Sequence, residues 1–260
     1  MLISHESPLC LLQESRNYNS YDYALVHLFD ENKRYYDFFK ESLKMGREVL
    51  LDNSIFELGT AFDTNKFVKY IKELKPTEYV VPDVWWDSKG TIEAFKNWKE
   101  KYKDLPGKMI GVVQGKTLGE LIDCYKYMIE NADKIAISFT YPIYQELSIG
   151  TSKLHKQMVG RRYLINLLRN LPFDRPHKPF HLFGCSLPQE YRFYKTDHNI
   201  ESMDTSNPIV HGILNIRYTE TGDLFDKEKI KLVELLNEEL DEKQKENINY
   251  NIKKFKENIL

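Results

Sequence analysis

Asp52, Asp83, Gln114 and Asp204 each follow a short apolar run. Val49-Leu50-Leu51 leads into Asp52, Tyr79-Val80-Val81-Pro82 into Asp83, Ile110-Gly111-Val112-Val113 into Gln114 and Gly115, and Met203 into Asp204. Ser138 after Lys134-Ile135-Ala136-Ile137, and Gly184 after His181-Leu182-Phe183, fall in the same way. The C-terminal ends of buried parallel strands are where α/β proteins gather their chemistry. Three carboxylates can supply a nucleophile and a general acid/base. Together with a glutamine amide they also match the ring nitrogens and exocyclic amine of a purine edge. Each carboxylate alone has a local explanation. Asn53 and Ser54 after Asp52, Val84-Trp85-Trp86 after Asp83, and Thr205-Ser206-Asn207-Pro208 after Asp204 all suit a cap or turn. Gln114 has no such local use, and four polar ends in series point to one shared site. No glycine-rich phosphate loop is present.

Elements that could hold these ends together alternate along the chain. Strands are expected at Tyr23–Leu28, Glu48–Leu51, Tyr79–Val81, Met109–Val113, Lys134–Ile137, Phe180–Phe183 and Ile200–Met203. An eighth is expected at Leu9–Leu12 or Ile213–Ile216. Helical spacing of apolar residues falls between them, at Lys33–Lys44, Thr64–Leu74, Thr91–Tyr102, Leu118–Glu130, Lys153–Arg169 and Gln189–Lys195. This alternation predicts an α/β fold, a (β/α)8 TIM barrel, with an open doubly wound sheet as the competitor. The barrel is expected over residues 1–225. The charged stretch 226–260, periodic around Ile230, Leu232, Val233, Leu235 and Leu236, is expected to form one or two helices on the outside of the barrel, with a frayed end.

At 260 residues the chain can bury the core of one large barrel. No apolar run reaches membrane-spanning length and no signal peptide is evident, so no membrane partner is expected. Cys10, Cys124 and Cys185 lie far apart, which predicts neither a disulfide framework nor a cysteine zinc site and fits a reducing cytoplasm. A net charge of −2 offers no general attraction to nucleic acid, so any such partner must be held by a local patch.

These ordered strand ends resemble the tRNA-guanine transglycosylases and their DNA-acting relatives, which insert 7-deazaguanines into phage and bacterial DNA. The likeness spans roughly residues 45–215 as short motifs. Asp52-Asn53-Ser54-Ile55-Phe56-Glu57 resembles the family's Asp-Ser-Gly-Gly-aromatic-Gln, which implies that Asp52 is the general acid/base and that Phe56 stacks on the base. Asp83 resembles the aspartate that binds the guanine edge. Gly111-Val112-Val113-Gln114-Gly115 is similar to Gly-Ile-Val-Gln-Gly, which implies base contacts at Gln114 and Gly115. Phe180 to Pro188 resembles His-Tyr-Leu-Met-Gly-Val-Gly-x-Pro, with Phe183 covering the base beside Gly184. Met203 to Pro208 resembles Phe-Asp-Cys-Val-x-Pro, which implies that Asp204 is the covalent nucleophile.

Departures from the family pattern are equally specific. Ser54 and Ile55 replace paired glycines, and Ile137-Ser138-Phe139-Thr140 replaces Leu-Ala-Val-Gly-Glu, leaving Ser138 as the base contact there. Pro208-Ile209-Val210-His211-Gly212 replaces Pro-Thr-Arg-x-x-Arg, a run that helps to hold tRNA, and the family's zinc-binding cysteines are absent. The resemblance therefore implies a minimal barrel without cofactor or metal that exchanges guanine in DNA for a 7-deazaguanine. A tRNA substrate, release of guanine to water, and a non-catalytic nucleic-acid-binding barrel are the alternatives. Contacts to the nucleic-acid backbone are expected from Lys153, Lys156, Arg161 and Arg162, with His155, Arg169, Arg175 and Lys178 as further candidates. His181 and His211 are read as structural residues.

Overall fold

The computed structural model describes residues 1–172, 174 and 176–259. The described residues form eight parallel strands: β1 (Leu2–His5), β2 (Asp22–Leu25), β3 (Val49–Asp52), β4 (Glu78–Val80), β5 (Lys108–Val112), β6 (Lys134–Ser138), β7 (Phe180–Phe183) and β8 (Ile200–Thr205). Hydrogen-bonded neighbours follow the order β1-β8-β7-β6-β5-β4-β3-β2. That single progression is a nearly closed (β/α)8 barrel and excludes the doubly wound sheet, whose strand order reverses.

Helices α1 (Lys33–Lys44), α2 (Thr64–Leu74), α3 (Ser88–Lys101), α4 (Leu118–Asn131) and α5 (Lys153–Arg169) connect successive strands from β2 to β7. Their boundaries follow from local chemistry. Asp63 caps α2 by accepting from Lys66 N, and Phe67, Val68, Ile71 and Leu74 form its buried stripe. Thr117 and Glu120 form a reciprocal capping box at the start of α4. The segment between β7 and β8 is a 3-10 helix, Pro188–Tyr194.

The expected eighth strand is corrected by β1. Leu9–Leu11 is a 3-10 turn, and Ile213 closes α6 (Asn207–Ile213) ahead of a turn at Asn215. β1 was hidden because Leu2-Ile3-Ser4-His5 has no apolar periodicity of its own; pairing with β8 places Ser4 beside Asp204 and His5 beside Thr205. The barrel's seam lies between β1 and β2, where side chains and a backbone bond replace a ladder. Tyr23 N donates to Ser4 Oγ at 3.1 Å, and Ser20 N to Ile3 O at 2.8 Å. Asn19 accepts from His5 N at 2.7 Å and donates to His5 O at 3.0 Å, so its amide stands in for a neighbouring strand.

Strand side chains alternate in and out of the barrel. The inward series includes Ser202 then Asp204 on β8, His181 then Phe183 on β7, Lys134 then Ser138 on β6, and Leu50 then Asp52 on β3. Leu50, Lys134 and Ser202 line a small hollow at the bottom, and Asp52, Ser138, Phe183 and Asp204 line the mouth.

Beyond β8, α7 (Glu242–Glu257) packs on α6 as an outer helix. Their backbones approach at Gly212, where a Cβ would lie 2.5 Å from Ile248 Cγ1 and 2.7 Å from Ile248 Cα. The stretch 226–231 departs from expectation. It forms no helix and passes across the barrel mouth before a 3-10 turn at Leu232–Leu235.

Asn19→Ala should therefore lower stability by about 1–3 kcal/mol, because the buried His5 N–H loses its partner and His5 O keeps only the bond from Ser7 Oγ. Urea denaturation checks this: the midpoint should fall with an unchanged slope, and an unchanged midpoint would mean that the seam does not rely on Asn19.

Candidate active site

A cavity of about 510 Å³ opens at the C-terminal ends of the strands, within the range of small-molecule sites. Asp52, Asp83, Gln114, Ser138, Gly184 and Asp204 all line it, as do Phe56 and Phe183. Asp52, Asp83, Gln114 and Asp204 are also buried, so the polar strand ends do converge.

On the β3 side the turn and the site are the same structure. Asp52 Oδ2 accepts from Ser54 N at 2.7 Å, so the capping role and a place in the cavity coexist in one residue. Ser54 has φ of 61°, in the left-handed region that favours glycine, at one of the positions where the resembled family carries glycine. Asn53 ties this turn to the next: its Nδ2 donates to Asp83 Oδ1 at 2.7 Å, and its Oδ1 accepts from Ile55 N at 3.0 Å. The helical turn Ile55–Leu58 then presents Phe56 and Glu57. Phe56 stands edge-on to Phe139 at 5.5 Å and tilted to Trp85 at 6.0 Å, which makes an aromatic rim.

Asp83 and Gln114 form one wall. Gln114 Nε2 donates to Asp83 Oδ2 at 2.6 Å, while its Oε1 accepts from Trp86 N at 3.1 Å. The glutamine's orientation is thus set from both ends, with Asp83 as a doubly hydrogen-bonded acceptor. Gly115 is a correction to the expected base contacts, since it does not line the cavity. A Cβ there would meet Glu120 Cβ at 2.8 Å and Leu121 N at 2.9 Å, so this glycine serves the packing of α4.

The opposite wall is built on β7 and β8. His181 Nε2 lies 3.0 Å from Asp204 Oδ1, and His181 Nδ1 lies 2.9 Å from Ser202 Oγ. With Nε2–H donating to Asp204, the other ring nitrogen accepts from Ser202. This holds Asp204 by one oxygen and leaves Oδ2 for a reacting atom. His181 is buried, stacks on Tyr23 with ring centroids 6.2 Å apart, and meets Phe183 edge-on at 4.7 Å. The structural reading of His181 is therefore incomplete: it is the orienting partner of Asp204.

Arg161 corrects the expected set of backbone contacts. Its side chain is 0% exposed and paired with Glu190 at 2.5 Å. Its guanidinium also donates to Phe183 O at 2.8 Å and Gly184 O at 2.9 Å, fixing the turn that carries both residues. That turn requires glycine, because Gly184 has φ of 52° and a Cβ would fall 2.8 Å from the Phe139 ring. Of the other basic candidates, Lys153 lines the cavity, whereas Lys156 and Arg162 do not. Lys156 packs beside Gly150, and the Arg162 guanidinium lies 4.5 Å over the Phe193 ring. Arg169 pairs with Asp197, and Lys178 precedes β7 at the far end of the barrel. Arg175 lies outside the described residues. His211 is buried in α6, bonded to Asn207 O at 2.8 Å.

Glu6, Tyr23 and Glu57 complete the cavity and were not singled out from the sequence. Glu6 was hidden with β1, and Glu57 stood unnoticed beside Phe56. Burial raises the Asp52 carboxyl well above the ordinary range, helped by the charges of Glu57, Asp204 and Asp83 and opposed by the bond from Ser54. Glu6 is raised well above its usual value by burial and then by Asp204. Burial pushes Glu57 up to about 7. Asp83 is raised by burial against the bonds from Asn53 and Gln114. Burial and the neighbouring carboxylates thus favour the protonated form of Asp52, which suits a group that gives a proton and takes it back. Among the described residues no three His, Cys, Asp or Glu side chains are grouped to hold a metal ion.

Neither protein-family models nor curated proteins gave a match to this chain.

Glu57 makes stability depend on pH in a stated direction. Its folded pKa of about 7 exceeds its ordinary 4.5, so its contribution is full below 4.5 and is lost as pH rises through 7. Glu57→Gln should raise the melting temperature over the parent at pH 8 and change it little at pH 4.5. Equal differences at the two pH values would show that Glu57 titrates as an exposed side chain.

Proposed function

We propose that this protein is a pentosyltransferase that exchanges guanine in DNA for a 7-deazaguanine through a covalent glycosyl-aspartate. The observation that carries this reading is Asp204, held by His181 through one oxygen and sharing one cavity with Asp52 and the hydrogen-bonded Asp83–Gln114 wall.

In this mechanism the base of a flipped nucleotide lies between the walls, with its edge on Asp83 and Gln114 and its face against Phe56 or Phe183. Stacking on these rings offsets unstacking from the helix, which costs on the order of a few kcal/mol. Asp204 Oδ2 attacks C1′ from the side opposite the base and forms the ester bond as the C1′–N9 bond breaks. Guanine leaves with the bonding electrons and takes the Asp52 proton. The 7-deazaguanine enters the same cavity, and Asp52, now a carboxylate, removes its N9 proton. That nitrogen bonds to C1′, the ester breaks, and both aspartates return to their starting states. One recognition wall serves both bases.

Preference for DNA over tRNA is supported by the segment after Asp204. Pro208, Ile209, Val210, His211 and Gly212 are all buried in α6, where the resembled family presents arginines to tRNA. This leaves that segment no cationic group for an RNA backbone.

Incubation with radiolabelled guanine should place label in DNA and not in tRNA; label in tRNA alone would sink the DNA assignment. Asp204→Ala should abolish both incorporation and the covalent DNA adduct, and an adduct that persists in it would exclude Asp204 as nucleophile. Asp52→Asn should slow exchange by about 10²–10⁴-fold, the usual worth of a general acid/base.

A further inference from the structure

The charges around the cavity are layered. Glu6, Asp52, Glu57, Asp83 and Asp204 line its interior, while Lys153 from α5 and Lys227, Lys229 and Lys231 from the 226–231 stretch line it further out, with Asp226 and Glu228 alongside those three. None of these four lysines is within 4.0 Å of a carboxylate oxygen in any ion pair among the described residues. Two of them reach back into the mouth. Lys227 Nζ donates to Cys185 O at 2.7 Å and sits 4.0 Å over the Phe139 ring. Lys231 Nζ donates to Phe56 O at 2.9 Å and sits 4.6 Å over the Phe56 ring. The lysines at 227, 229 and 231 are two residues apart, the spacing that shares one face of an extended run, and the exposed Asp226 and Glu228 alternate with them.

We propose that the 226–231 strap is the phosphate-binding element of this site, with Lys227 and Lys231 as direct ligands of the phosphodiesters flanking the bound nucleotide and Lys229 and Lys153 as outer contacts. This rests on the base-exchange reading and adds the part of the substrate that the acidic interior cannot hold. A ligand matched to the layering is neutral at its buried end and anionic at the mouth, as a nucleotide in a strand is. Carbonyl oxygens and ring faces are weak partners for an ammonium compared with a phosphate oxygen. A phosphate arriving at the rim therefore draws the two ammoniums away from Phe139 and Phe56. That exposes two ring faces for bases, the pairing of stacking platform and cationic track that single strands require. Burial also lowers the Lys227 pKa, so a neighbouring anion strengthens the charge that burial weakens.

The shared ligand chemistry is a phosphodiester backbone, and two strands separate its sources. The full chain is titrated with a fluorescein-labelled single-stranded DNA of about 15 nucleotides and with RNA of the same sequence, between about 50 and 200 mM salt. Free guanine, which has no phosphate, is titrated by calorimetry. In the Lys229→Gln/Lys231→Gln double variant, the salt slope of strand binding should shrink by about 1.4, roughly 0.7 for each lost contact. Strand affinity should fall severalfold more than guanine affinity. Lys229→Glu alone, at an exposed position, should weaken strand binding in the same direction and serves if the double variant does not fold. The strand bound more tightly identifies the backbone. Unchanged slope and affinity in both variants would overturn the phosphate assignment while leaving guanine binding in place. A parent chain that binds neither strand overturns it as well. If guanine also fails to bind, the base-exchange reading falls with it.

Discussion

A column of hydrogen-bonded polar groups runs up the barrel axis, and the site depends on its being satisfied. Lys134, 3% exposed, pairs with Glu78 at 2.6 Å and Glu201 at 2.5 Å near the bottom. Its ammonium reaches Ser202 Oγ at 3.5 Å, Ser202 meets His181, and His181 meets Asp204 at the cavity. Barrel interiors are ordinarily filled by branched apolar side chains. A buried lysine in their place is tolerable only when paired, because an unpaired ion so placed is strongly destabilising. The column thereby fixes the rotamers of Ser202 and His181 from below, and through them the carboxylate of Asp204.

The same logic governs the mouth. Several carboxylates share a confined space, and burial with mutual repulsion raises their pKa values. Asp83 is hydrogen-bonded on both oxygens, and Asp204 is tied to a histidine; Asp52 has a single backbone donor. Different supporting bonds thus give chemically similar residues different tasks. The strap contributes three lysines from outside, interleaved with Asp226 and Glu228, which places amines and carboxyl groups within one small volume.

Much of the frame was legible in the sequence. α1, α2 and α5 follow the spacing of apolar residues and the capping residues just ahead of them. Asp52, Asp83, Gln114 and Asp204 were legible because each interrupts an apolar run where a strand must end. What escaped were residues without a local signature. Glu6 and β1 became recognisable only through pairing with β8, since Ser4 and His5 look polar until a neighbouring strand buries them. Gly115 and Arg161 show the converse: motif position and charge suggested ligand contacts, whereas packing against α4 and pairing with Glu190 give them structural tasks.

The sequence by itself determined the alternation of strands and helices, the α/β class and the residues at the strand ends, because periodicity, capping and chain-breaking are local properties. Tertiary structure alone decided how the barrel closes between β1 and β2, that His181 rather than solvent meets Asp204, and that residues 226–231 cross the mouth instead of starting an outer helix. Those outcomes depend on groups far apart in the chain meeting in space and satisfying one another's hydrogen bonds and charges, and no local pattern encodes such a meeting.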